Sequence, residues 1–135
     1  MVMEPGGKTK SSGSGDSSAE TASQSELISI DDFFGVDIRT ATVVQALPFP
    51  EARKAAYKLE LDLGELGRRW SSAQITDLYR PEDLINTQVL TVTNMRPKRV
   101  AGFKSECLVL GIYDEAGRVV LVRPDRPVKA GARLQ

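Results

Sequence analysis

Four cations crowd into NMRPKRVAGFKSE: Arg96, Lys98, Arg99 and Lys104, with no acid between the first and the last. Guanidinium and ammonium groups at that density suit a polyanion, because phosphate oxygens accept charge-assisted hydrogen bonds from both. Asn94 and Ser105 bracket the run with neutral polar groups, and Pro97 and Gly102 mark it as a loop joining two strands. The bland alternative is a solvated loop kept basic for solubility, and charge alone does not choose between them.

Two further segments carry binding chemistry. In RRWSSAQIT, strand alternation puts Trp70, Ser72 and Gln74 on one face and Arg69, Ser71 and Ala73 on the other. Hydroxyl and amide groups beside an indole suit base edges and stacking; equally, Trp70 is a core residue and the serines are merely small. In FPEARKAAYK, Arg53, Lys54 and Lys58 supply charge next to Phe49 and Pro50, which fits a basic rim loop or an apolar docking surface for a peptide. Phe49, Tyr57 and Phe103 are the rings whose chemistry suits such a peptide contact.

Catalytic sets are missing. The chain has no histidine, the commonest general base and metal ligand, and a single cysteine, Cys107, which makes neither a zinc site nor an internal disulfide. No glycine-rich phosphate loop appears. The carboxylate pairs Asp31–Asp32, Glu82–Asp83 and Asp114–Glu115 sit where helix starts and turns call for acids anyway. A non-enzymatic binding module without metal or cofactor is expected.

The elements that must hold these residues are short strands. Ile38 to Ala46 is rich in Thr, Val and Ala; Pro48 and Pro50 end it. YKLELDL alternates strictly, Tyr57, Leu59, Leu61 and Leu63 against Lys58, Glu60 and Asp62, which predicts a half-buried strand. Further strands are expected over residues 68–75, 88–94, 106–113 and 119–123, with a hairpin turn at DEAG and a short helix within 77–86 opened by Pro81. Asp31 or Asp32 is expected to cap a helical turn before Phe33 and Phe34 that Gly35 stops. Residues 124–135 should wrap around the surface. This pattern predicts an all-β fold, a closed antiparallel barrel with short helices and terminal extensions.

Residues 1–26 are rich in Gly, Ser, Thr and Glu and poor in large apolar side chains, which predicts a disordered tail ahead of a domain over 27–135. The tail also masks charge: the whole chain balances 18 basic against 18 acidic residues, whereas residues 27–135 hold 16 against 14, a net +2. No apolar run approaches the roughly 20 residues that span a bilayer, and the first residues lack a signal peptide's apolar core. With Cys107 reading as a buried small side chain, a cytoplasmic protein without membrane insertion is expected.

The strings DIRTATVVQA, FPEARKAAYKLELDLG, RRWSSAQIT, NMRPKRVAGFKSECLVLG and VVLVRPDRPVKAGARL, in that order, resemble the CsaA family, export-related chaperones built on a stand-alone tRNA-binding domain. The resemblance covers about residues 33–134. The same domain type is appended to some methionyl- and phenylalanyl-tRNA synthetases. It implies an oligonucleotide-binding (OB-fold) barrel, extensions that make a homodimer, tRNA binding, and a chaperone role on unfolded or exported polypeptides. Asn94, Arg96, Lys98, Arg99, Lys104 and Ser105 match the strand–loop–strand unit that the domain type associates with RNA. Relatives outside CsaA often carry methionine near the position of Cys107. Phe33, Phe34 and Leu134 suit a dimer interface, or plug the barrel mouths. The expected partners are thus tRNA, unfolded polypeptides and a second copy; the alternative is a docking subunit for a synthetase or for export machinery.

Overall fold

The computed structural model describes residues 26–135, so the tail expectation lies outside it apart from Glu26. The described residues fall into two units, 26–36 and Asp37–Gln135, each taken by itself. In the first, α1 (Ile30–Phe33) is a single turn. Its N-cap is Ser29, whose hydroxyl accepts from the Asp32 N–H at 2.9 Å. The expected Asp31 and Asp32 lie instead inside the first turn, where their charges oppose the exposed N–H groups. The Gly35 N–H closes the turn on the Asp31 and Asp32 carbonyls.

The second unit is an all-β, nearly closed barrel of the oligonucleotide-binding type. β1 (Ile38–Pro48) is its long central strand. The first half of β1 pairs antiparallel with β4 (Gln88–Val92), and its second half with β2 (Tyr57–Asp62). An irregularity in the ladder between Val43 and Gln45 bends β1 where it passes from one partner to the other, the usual device for turning a barrel corner. β3 (Arg68–Ala73) pairs with β2. On the far side, β7 (Leu108–Val109) pairs with β4, giving the order β3-β2-β1-β4-β7. The two edges approach each other where the Glu106 N–H donates to the Trp70 carbonyl at 2.8 Å and Ser71 Oγ to the Cys107 carbonyl at 2.9 Å.

The alternation in β2 does what its pattern demands. Leu59, Leu61 and Leu63 are fully buried, each worth roughly 1.5–3 kcal/mol of apolar burial. Val43, Val89, Val109, Ile75 and Leu84 complete the core with Cys107. Leu84 arrives from α2 (Pro81–Leu84), one turn with Pro81 at its start and shorter than the 77–86 span suggests. The expected strand 106–113 is two strands, β7 and β8 (Gly111–Tyr113), and β8 pairs across the Asp114–Gly117 turn with β9 (Val119–Leu121). The last residues run along β1, the Gly131 N–H donating to the Thr40 carbonyl and the Leu134 N–H to that of Ile38. Gly64 and Gly131 let this segment lie flush: a Cβ on either would come within 2.3 Å of a backbone oxygen on the other strand of contact. No helix of the described residues is long and apolar enough to cross a membrane.

Candidate nucleic-acid interface

The run read as a loop is a hairpin of its own. β5 (Lys98–Val100) and β6 (Phe103–Ser105) pair antiparallel, with Val100 opposite Phe103 across a two-residue turn. Both turn residues have positive φ, 48° at Ala101 and 83° at Gly102, as a tight turn matched to strand twist requires. Pairs in register share a face, so Lys98, Val100, Phe103 and Ser105 lie on one side of the hairpin and Arg99 and Lys104 on the other.

Arg96, Lys98, Arg99 and Lys104 are all exposed. Arg99 reaches back to the Gly102 carbonyl at 3.1 Å, bracing the turn. No carboxylate among the described residues forms an ion pair with any of the four. Arg99 sits directly opposite Lys104, and like charges facing across a ladder destabilise it by some tenths of a kcal/mol. The hairpin therefore carries repulsion that a polyanion would relieve.

Its base is pinned on both sides. Asn94 Oδ1 accepts the Asp37 N–H at 2.9 Å, Thr93 Oγ1 donates to the Asp37 carboxylate, and Arg69 Nη1 donates to the Thr93 carbonyl at 2.9 Å. Burial opposes ionisation of Asp37, yet hydrogen bonds from Thr93 and Arg39 and the charges of Arg39 and Arg133 outweigh it and hold the carboxyl below its ordinary range. Asn94 is thus an anchor for the hairpin, with its carbonyl oxygen already engaged.

The strand wall beside the hairpin corrects the sequence expectation. Ser72 is 1% exposed and Ser105 4%; the Ser72 N–H donates to Ser105 Oγ at 2.9 Å, and the Trp70 N–H to Glu106 Oε1 at 2.8 Å. The inner side of the hairpin covers this part of β3, so Ser72 and Ser105 offer no hydroxyl at the surface. Gln74 is half-buried beyond the end of β3, and Arg53 and Lys54 are exposed on the β1–β2 connection. That connection reaches the hairpin through Phe49, whose ring meets Phe103 at 5.4 Å and 68°.

The three rings named for a peptide do not form one open pocket. Phe49 is 4% exposed, and Tyr57 packs on the core with its hydroxyl donating to the Tyr79 carbonyl at 2.7 Å. Only Phe103 is both accessible and aromatic at the hairpin. Lys58 was visible in the sequence as one cation of a rim segment; the structure puts its ammonium 4.7 Å from the Phe49 ring centre and 5.1 Å from that of Phe103. Phe33 and Phe34 contact each other edge to face at 5.1 Å, and Leu134 is half-buried at the end of its segment. A cleft of about 420 Å³ lined by Gln88, Arg123 and Arg126 among others is less suited to anions, because Arg123 lies over Tyr79 at 5.5 Å and Arg126 pairs with Asp125 at 3.6 Å.

Residues 38–133 match the family described as "Putative tRNA binding domain". The structure is similar to the crystal structure of the chaperone CsaA from Bacillus anthracis, with 51% identity, a TM-score of 0.76, and 81% of this chain covering 99% of that one. A CsaA chaperone from Picrophilus torridus gives 40% identity and a TM-score of 0.76, over 81% of this chain and 100% of the other. Among curated sequences, the methionine–tRNA ligase of Methanococcoides burtonii is 36% identical over 106 residues, 78% of this chain and 15% of the ligase. The chain spans between 14% and 17% of the length of the methionine–tRNA ligases it matches.

Proposed function

Because the chain belongs to the tRNA-binding domain family and, within it, to the CsaA family, we propose that it is a non-enzymatic tRNA-binding protein whose contact surface is the β5–β6 hairpin. One observation carries this reading: four exposed cations, two of them facing each other, that no described carboxylate neutralises. Arg96, Lys98, Arg99 and Lys104 contact phosphates. Asn94, Ser105 and Ser72 hold the hairpin in place, and Gln74, Arg53 and Lys54 extend the surface along β3 and the neighbouring connection. Recognition by phosphates reads shape more than sequence.

Replacing Lys98 and Arg99 together with alanine weakens tRNA binding by about tenfold or more. The melting temperature stays level or rises slightly, since the Arg99–Lys104 repulsion goes. Equal tRNA affinity in the variant and the parent protein removes the hairpin from the site.

The likeness to chaperones favours a second activity, holding unfolded or exported polypeptides in the cytoplasm as a homodimer. Phe33, Phe34 and Leu134 are the proposed interface residues, and Phe103, with Phe49 and Tyr57 behind it, the proposed polypeptide contact. The match to one part of several ligases favours, as the alternative, a subunit that docks on a synthetase or on export machinery without physiological RNA binding.

A further inference from the structure

Phe103, Phe49 and Trp70 form a ring cluster outside the barrel core. Lys58 is the register partner of Ser72, and Glu60 of Trp70, so these four side chains share the face opposite to Leu59 and Leu61. Phe103 comes onto this face from the hairpin, 6.0 Å from Trp70 at 88°. Neither neighbour stacks flat on it. The Lys58 ammonium lies over the Phe49 and Phe103 rings and has no ion pair among the described residues. Glu60, the acid of that face, accepts from Gln45 at 3.0 Å and pairs with Arg68 at 3.8 Å. Below them Ser72 Oγ is buried without a hydrogen-bond partner.

Barrel stability does not call for this arrangement. A half-buried lysine resting on two rings is held by a weak, exchangeable contact on a flexible stem. A buried hydroxyl without a partner is a cost. The lysine contact makes sense if another flat group replaces the ammonium.

We infer that the face of Phe103 now lying under the Lys58 ammonium seats one unstacked nucleobase of a single-stranded RNA segment. The base stacks on Phe103, and Lys58 leaves the ring for the adjoining phosphate. The inference rests on the tRNA-binding reading, in which Arg99 and Lys104 on the hairpin's other face hold the flanking phosphates. A nucleotide fits better than an apolar peptide because the rings lie beside a cation, and a nucleotide brings a flat face together with an anion whereas an apolar peptide brings no anion. In tRNA such a base comes from a loop or the single-stranded end, which makes the interface selective for unpaired segments.

Trp70 is the sole tryptophan of the chain, so its emission reports on Phe103. The full-length protein is titrated with a short oligouridylate and with an oligomer of the same length and backbone lacking bases. The base-bearing oligomer binds about tenfold more tightly and changes Trp70 emission; the abasic one leaves the emission unaltered. Phe103→Leu abolishes the tenfold difference and keeps the abasic affinity, whereas the Lys98→Ala, Arg99→Ala variant weakens both oligomers alike. Equal binding of the two oligomers to the unmodified protein, with the hairpin variant still weakening both, overturns the base seat and leaves the phosphate reading standing. If neither oligomer nor tRNA binds, both readings fall. A Trp70 response to an extended apolar peptide, with the two oligomers bound alike, assigns the rings to polypeptide instead.

Discussion

Ala101 occupies a backbone conformation that suits asparagine or glycine. Its φ of 48° brings Cβ towards the following carbonyl, a strain of about 1 kcal/mol for a residue other than glycine or asparagine. The hairpin tolerates it because Arg99 ties across to the Gly102 carbonyl and the whole turn projects into solvent. Ala101→Asn is expected to raise stability by up to about 1 kcal/mol in chemical denaturation, leaving the charges and thus tRNA affinity unchanged. A loss of stability of similar size means that the turn does not have the backbone seen here. Cys107 illustrates the opposite regime: buried among the β4 and β7 valines, its thiol is pushed up by desolvation, so it is a small packing residue.

At the scale of elements, Asp37 joins three pieces of chain. It accepts from Arg39 at 2.9 Å, pairs with Arg133 at 3.0 Å, and receives the Thr93 hydroxyl, so β1, the C-terminal segment and the exit of β4 meet on one carboxylate. Its pKa is depressed on folding. The stability it contributes is therefore complete above the unfolded value of about 3.9 and is lost as pH falls through the folded one. Asp37→Asn lowers the melting temperature at neutral pH and shrinks the drop between pH about 7 and pH about 3. An unchanged drop assigns acid sensitivity to other carboxylates. The same scale explains what could be read in advance. β2 was legible because one strand with one wet face writes its burial into every second residue, and Pro81 announced α2 by what proline cannot donate. The cations from Arg96 to Lys104 were legible as a cluster. The hairpin that carries them was not, since three-residue strands are too short to show a period. Alternation puts Ser72 on the correct face of β3 and predicts it accessible, whereas it is buried. Its burial depends on β6 folding over that face from 33 residues away, a packing event that alternation within β3 does not encode. Phe49 is buried for the same kind of reason, being covered by Lys58 and Phe103 from other strands.

At the scale of the whole molecule, function rests on where charge is placed more than on how much there is. The chain is neutral overall, yet one hairpin and the residues leading into it concentrate four cations at an edge of the barrel. Pairing two chains, as proposed, doubles that edge on one assembly and raises avidity for a folded RNA without new contacts per chain. Binding through phosphates must release counterions, which separates it from apolar capture of a polypeptide. The most direct measurement is a titration of the full-length protein with tRNA, and in parallel with an unfolded polypeptide, between about 50 and 200 mM salt. Four phosphate contacts give a slope of log affinity against log salt near −3 to −4, about a hundredfold loss over that range, while polypeptide binding changes little. The Lys98→Ala, Arg99→Ala variant reduces the slope by about 2. A tRNA affinity independent of salt, or a slope the double variant leaves intact, contradicts a phosphate-reading hairpin.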